Sequence, residues 1–129
     1  MKRRLIWSGA EESRVVDKWR QPAEKKWMDE WWKMTPEGEG LGIELVISLV
    51  GKAEAKKLNR KWRKRYYIPQ VLAFPGLGEP WEDGWRRPGD IVICVDKLHE
   101  ESRKYRKNID DVMTEWVFHG WKNLIGQGE

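Results

Sequence analysis

The chain has 129 residues, 40% apolar and 36% charged, with 25 Lys and Arg against 21 Asp and Glu for a net charge of +4. That balance excludes a disordered chain and supplies enough apolar surface for a core, so a single domain over residues 1–129 is expected. One cysteine, Cys94, and two histidines exclude an internal disulfide and the Cys/His zinc frameworks of finger or ribbon type.

No apolar run approaches the roughly 20 residues of a membrane span, and the apolar part of "MKRRLIWSGAEESR" is too short for a secretory signal. A reducing cytoplasm is the expected compartment. Ten tryptophans far exceed ordinary usage. Most are expected to fill the core, with a few open to stacking on RNA bases.

"KRRLIW" at 2–7 predicts a first strand whose cations suit a sheet edge. From 11 to 34, Val15, Val16 and Trp19, then Ala23, Trp27, Met28 and Trp31, recur at helical spacing, and Pro22 between them predicts a short helix followed by a longer one. "TPEGEGLG" at 35–42 is a loop by its Pro and Gly content. The β-branched run "IELVISLV" at 43–50 predicts a strand buried on at least one face.

Residues 52–65, "KAEAKKLNRKWRKR", place Ala55, Leu58 and Trp62 on one face of a helix and cations around the rest. Eight cations against one glutamate in that run point to a polyanionic partner. Lys56, Lys57, Arg60, Lys61, Lys64 and Arg65 are its candidate RNA-binding residues. A strand at 70–74 ends at Pro75, a long loop covers 76–89, and a fourth strand is expected at 89–95. A charged helix over 96–107 carries His99 on a solvated face, and Asn108 with Asp111 resembles a capping box opening the last helix. The result is an α+β fold: a small mixed sheet of about four strands packed by helices.

On the last helix Ile109, Val112, Met113, Trp116, Val117 and Leu124 form an apolar stripe, with His119 and Asn123 one turn apart at its border. Taken alone, a His-x3-Asn pair reads as two polar groups satisfied by neighbouring backbone. Cys94 reads as inert packing in an apolar strand.

Four motifs add to that reading. In order they are "LNRKWR" (58–63), "VLAFP" (71–75), "GDIVIC" (89–94) and "HGWKNLIG" (119–126). They resemble the YbeY family of metal-dependent endoribonucleases of ribosomal-RNA maturation. The family pattern has a Leu-Asn-x-x-Tyr-Arg helix, a Val-Leu-Ser-Phe-Pro strand, a Gly-Asp-Ile-Val-Ile strand and a closing His-Gly-x-x-His-x-x-Gly-Tyr-Asp-His segment.

The resemblance implies a YbeY-like hydrolase fold, an RNA substrate that is ribosomal, and as partners small-subunit ribosomal proteins and an Era-type GTPase. It places the family's three zinc histidines on His119, Asn123 and Glu129, so the first is kept and the other two are replaced. A neutral amide oxygen is a poor substitute for imidazole, and the set His119, Asn123, Glu129 leans from zinc toward Mg²⁺ or Mn²⁺. Arg63 falls on the family's arginine, whose guanidinium would stabilise charge on the phosphate during attack by a metal-bound water. Asp90, in the Gly-Asp motif, would orient a partner or cap a turn. The exchanged ligands leave a second expectation: a catalytically impaired or redesigned YbeY-fold protein that binds RNA or the small subunit without cutting.

Overall fold

The computed structural model describes residues 2–9, 14–35, 40–76 and 81–126; the side chains of 14–17, among them Val15 and Val16, and all of Glu129 lie outside it. In chain order the elements are β1 (Lys2–Gly9), α1 (Arg14–Asp29), a 3-10 turn (Trp31–Met34), β2 (Gly42–Val50), α2 (Lys52–Arg63), β3 (Val71–Pro75), β4 (Trp85–Arg86), β5 (Gly89–Cys94), α3 (Val95–Tyr105) and α4 (Ile109–Leu124). This is the α+β architecture expected.

The sheet runs β1-β2-β5-β3. β1, β2 and β5 are parallel, and β3 closes the other edge antiparallel to β5. Both edges have a physical basis. Lys2, Arg3 and Arg4 occupy one, where charge discourages further pairing, and Pro75, which cannot donate to a ladder, ends the other. A fifth strand, β4, lies within the stretch read as loop. Its two residues pair with Gly42 and Ile43 of β2, a contact too short and too distant in sequence to leave a periodic pattern.

Three other expectations are corrected. α1 is one continuous helix with Pro22 inside it. The carbonyl deprived of a donor belongs to exposed Lys18, so the break costs little in water. Asn108 is the N-cap of α4 but its side chain makes no capping bond, and the backbone N–H of Asp111 donates to the Asp110 carboxylate (3.1 Å) instead. His99 is half-buried with its ring edge-on to Trp19, centroids 4.9 Å apart, rather than solvated.

Trp19, Trp27, Trp31, Trp116 and Trp121 do enter the core, between α1, α4 and the sheet. Trp27 and Trp121 meet edge-to-face at 5.5 Å, the arrangement the ring quadrupoles favour. The Trp121 indole N–H donates to the Trp31 carbonyl (2.7 Å), tying α4 to the turn after α1. Cys94 is buried among apolar neighbours, and that burial pushes its thiol pKa up.

Candidate functional site

Parallel strands β2 and β5 end at Val50 and Cys94, and α2 and α3 begin one or two residues later. Crevices at the carboxyl ends of parallel strands are where open sheets place ligands. Here that end carries a cleft of about 920 Å³, walled by the segment Tyr67–Val71, by Lys97 and Glu101 of α3, and by α4. The α4 wall presents Glu115, His119 and Asn123, each one turn after the last, with Trp116 beneath and Lys122 beside them.

His119 is held there by its neighbour. A Cβ on Gly120 would come within 2.9 to 3.0 Å of three carbons of the Ile91 side chain, so the glycine lets α4 sit closely on β5. At the start of β5, Gly89 has φ +149° and an added Cβ would stand 2.1 Å from the Phe74 carbonyl oxygen, which only glycine permits. Two motif glycines thus fix the strand and helix that carry the site.

The wall opposite α4 is fixed by Asn59, which has no exposed surface. Its side-chain amide donates to the Tyr67 carbonyl (3.0 Å), and its own carbonyl accepts from the Arg65 N–H (3.3 Å). Lys64 turns the chain at the end of α2 with φ 58°, in the left-handed region. The basic helix therefore delivers Tyr67 to the cleft through a pinned turn.

The site residues expected from sequence separate into groups. His119 and Asn123 share the cleft. Arg63, the last residue of α2, is exposed and does not line it. Lys56, Lys57, Arg60 and Lys61 line a shallower groove on α2, and with Lys64 and Arg65 all are exposed. Among the described residues none of these cations has a carboxylate partner. Asp90 is exposed near the start of β5, three residues from Ile93, the register partner of cleft residue Val71. Partial burial raises its carboxyl pKa.

Sequence reading missed Tyr67, Lys97, Glu101, Glu115 and Lys122. Only Glu115 left a signal, the four-residue step to His119; the others reach the cleft through tertiary packing.

A catalytic zinc needs three N, S or carboxylate donors. Among the described residues no group of three His, Cys, Asp or Glu side chains is placed to hold an ion, and the two described ligand positions, His119 and Asn123, are one imidazole and one neutral amide. These donors do not fit zinc.

The sequence profile of the endoribonuclease YbeY family matches residues 11–127. The chain belongs to the YbeY endoribonuclease family. Endoribonuclease YbeY of Bordetella pertussis is 43% identical over 86 residues, 66% of this chain and 52% of that protein. The Pseudomonas syringae pv. tomato YbeY is 35% identical over 98 residues, 74% of this chain and 58% of its own, and that of Myxococcus xanthus 35% over 86 residues, 29% of its own. The chain thus spans about half, or less, of the length of these YbeY relatives. The solution structure of TM1509 from Thermotoga maritima superposes with a TM-score of 0.62 at 22% identity, covering 95% of this chain and 73% of that one, a likeness of fold. The YbeY resemblance read from the four motifs is thereby borne out.

Proposed function

We propose that the protein works on single-stranded RNA in ribosomal-RNA maturation, as an endoribonuclease of its family. The observation that supports this reading best is the row of exposed cations on α2, without carboxylate partners among the described residues, whose helix ends four residues before the Tyr67 wall of the His119 cleft. Lys56, Lys57, Arg60, Lys61, Lys64 and Arg65 neutralise backbone phosphates, and Arg63 grips the phosphate nearest the cleft through paired N–H bonds. His119 offers an imidazole that can hold or pass a proton beside a phosphodiester, and Lys97 and Lys122 stand at the same place beside Glu101 and Glu115. No step is assigned to a metal, because the described donors do not fit the family's zinc. Small-subunit ribosomal proteins and an Era-type GTPase are the partners this reading brings with it.

Asn123 favours a second reading, in which the same face holds RNA without cutting it. Incubation of purified protein with a single-stranded ribosomal-RNA fragment, with Zn²⁺ or Mn²⁺ and then with chelator, separates the two. The first reading predicts cleavage. Intact RNA with the parent chain, but cleavage by the Asn123→His, Glu129→His double variant, rejects native hydrolysis and leaves the second. Absence of salt-sensitive RNA binding rejects both.

A further inference from the structure

Trp62, Tyr66 and Tyr67 are 61%, 72% and 56% exposed, in a chain that takes five other tryptophans into its core. They alternate with charge: Lys61 precedes Trp62, and Arg63, Lys64 and Arg65 separate it from the tyrosines. The Lys61 ammonium lies 5.0 Å from the Trp62 ring, and among the described residues neither tyrosine ring has an aromatic or cationic partner. The segment is held in place, since buried Asn59 bonds to both Arg65 and Tyr67. Tyr67 is at once part of this rim and part of the cleft wall.

Exposed rings interleaved with cations suit one kind of ligand, a polyanion that also offers flat apolar faces. Unpaired nucleotides have both, whereas a duplex hides its base faces within its own stack and offers only backbone. We infer that Trp62, Tyr66 and Tyr67 stack on unpaired bases beside the phosphodiester received by the His119 cleft, and that these rings make the chain choose single strands over duplex. This rests on the RNA reading above and assigns strand selection to particular residues. The cations bind backbone irrespective of pairing; the rings do not.

The test compares binding of a short single-stranded RNA of mixed sequence with binding of its duplex, for the parent, Trp62→Ala, Tyr67→Ala and Trp62→Phe. Loss of one ring weakens single-strand binding roughly 10-fold. Duplex affinity and the salt dependence stay as in the parent, because no phosphate contact is removed. Trp62→Phe keeps most of the affinity, since a ring remains. Both substituted positions are exposed, and unchanged circular dichroism shows that the variants fold. Unaltered single-strand affinity in the Ala variants, or an equal loss for single strand and duplex, overturns the stacking assignment while the RNA reading stands. A parent chain that binds neither RNA overturns both.

Discussion

Asn59 shows how much one side chain can organise. It is fully buried, donates to Tyr67, and through its backbone carbonyl accepts from Arg65, so the turn between α2 and the cleft depends on it. Replacing it with alanine leaves a carbonyl without its donor and removes the restraint. Asn59→Ala is expected to lose about 1–3 kcal/mol of stability, read from urea denaturation midpoints. A variant within about 0.5 kcal/mol of the parent contradicts the role given to this bond.

A second residue-scale device lies at the other end of β2. Glu44, 5% exposed, accepts from both Arg4 and Arg87, and Arg87 donates two further bonds to Asp83, at 3.2 and 2.7 Å. Arg4 and Arg87 also lie over the Trp85 and Trp81 rings, at 3.7 and 4.4 Å. The Arg87 hydrogen bonds, aided by the Trp85 N–H, hold the Asp83 carboxyl at about 2 against its ordinary 3.8. A pKa lowered by folding contributes stability that is present above 3.8 and is lost as pH falls through about 2. The melting temperature of Asp83→Asn should therefore lie below the parent's at pH above 3.8, and the gap should close as pH falls to about 2. A gap that widens on acidification contradicts this sign.

At the scale of elements, the decisive contact is α4 against β5 through Gly120. Alanine there meets Ile91 at distances a branched side chain cannot relieve by swinging one carbon. Better helix propensity returns up to about 1 kcal/mol, so a net loss of about 1–2 kcal/mol is expected for Gly120→Ala. Chemical denaturation measures it, and a stabilised variant would contradict the close packing. Because His119 is the adjacent residue, the same variant should also weaken RNA binding at the cleft.

What was legible in the sequence follows from how local each cause is. β2 was plain because β-branched residues dominate it, and α4 because its stripe repeats every turn. β4 was hidden because its pairing with Gly42 is wholly tertiary. Pro22 misled because the cost of proline in a helix depends on where the freed carbonyl faces, which sequence does not record. In the cleft, His119 and Asn123 were readable from helical spacing, while Tyr67, Lys97 and Glu101 come from elements distant in sequence. Arg63 followed from its motif, yet the end of α2 leaves it outside the cleft lining. Burial of Glu44 needs two arginines some forty residues away on either side, and no local pattern announces that.

For the whole molecule, the fold gathers the candidate cleft residues at one end of the sheet. α2 and α3 start there, joined by the Lys52–Glu100 ion pair (2.7 Å) and by the Asp96 carboxylate, which accepts from the Lys52 N–H at 3.1 Å. The cleft opens between that pair of helices' end of the sheet and α4, with the cation face and the aromatic rim leading to it. The modest net charge of +4 understates this arrangement, because the carboxylates are spread elsewhere while α2 concentrates cations. Such concentration on one face acts on a polyanion more strongly than the total suggests.

The most direct test of RNA as the ligand of this face is the affinity for single-stranded RNA measured across a range of salt concentrations. For single strands the logarithm of the binding constant falls by about 0.7 per phosphate neutralised for each logarithmic unit of salt. A steep linear fall is expected for the parent, shallower by about 1.4 when Lys57→Gln and Lys61→Gln remove two contacts. Binding that is flat in salt, or a slope that the two substitutions leave unchanged, would contradict it.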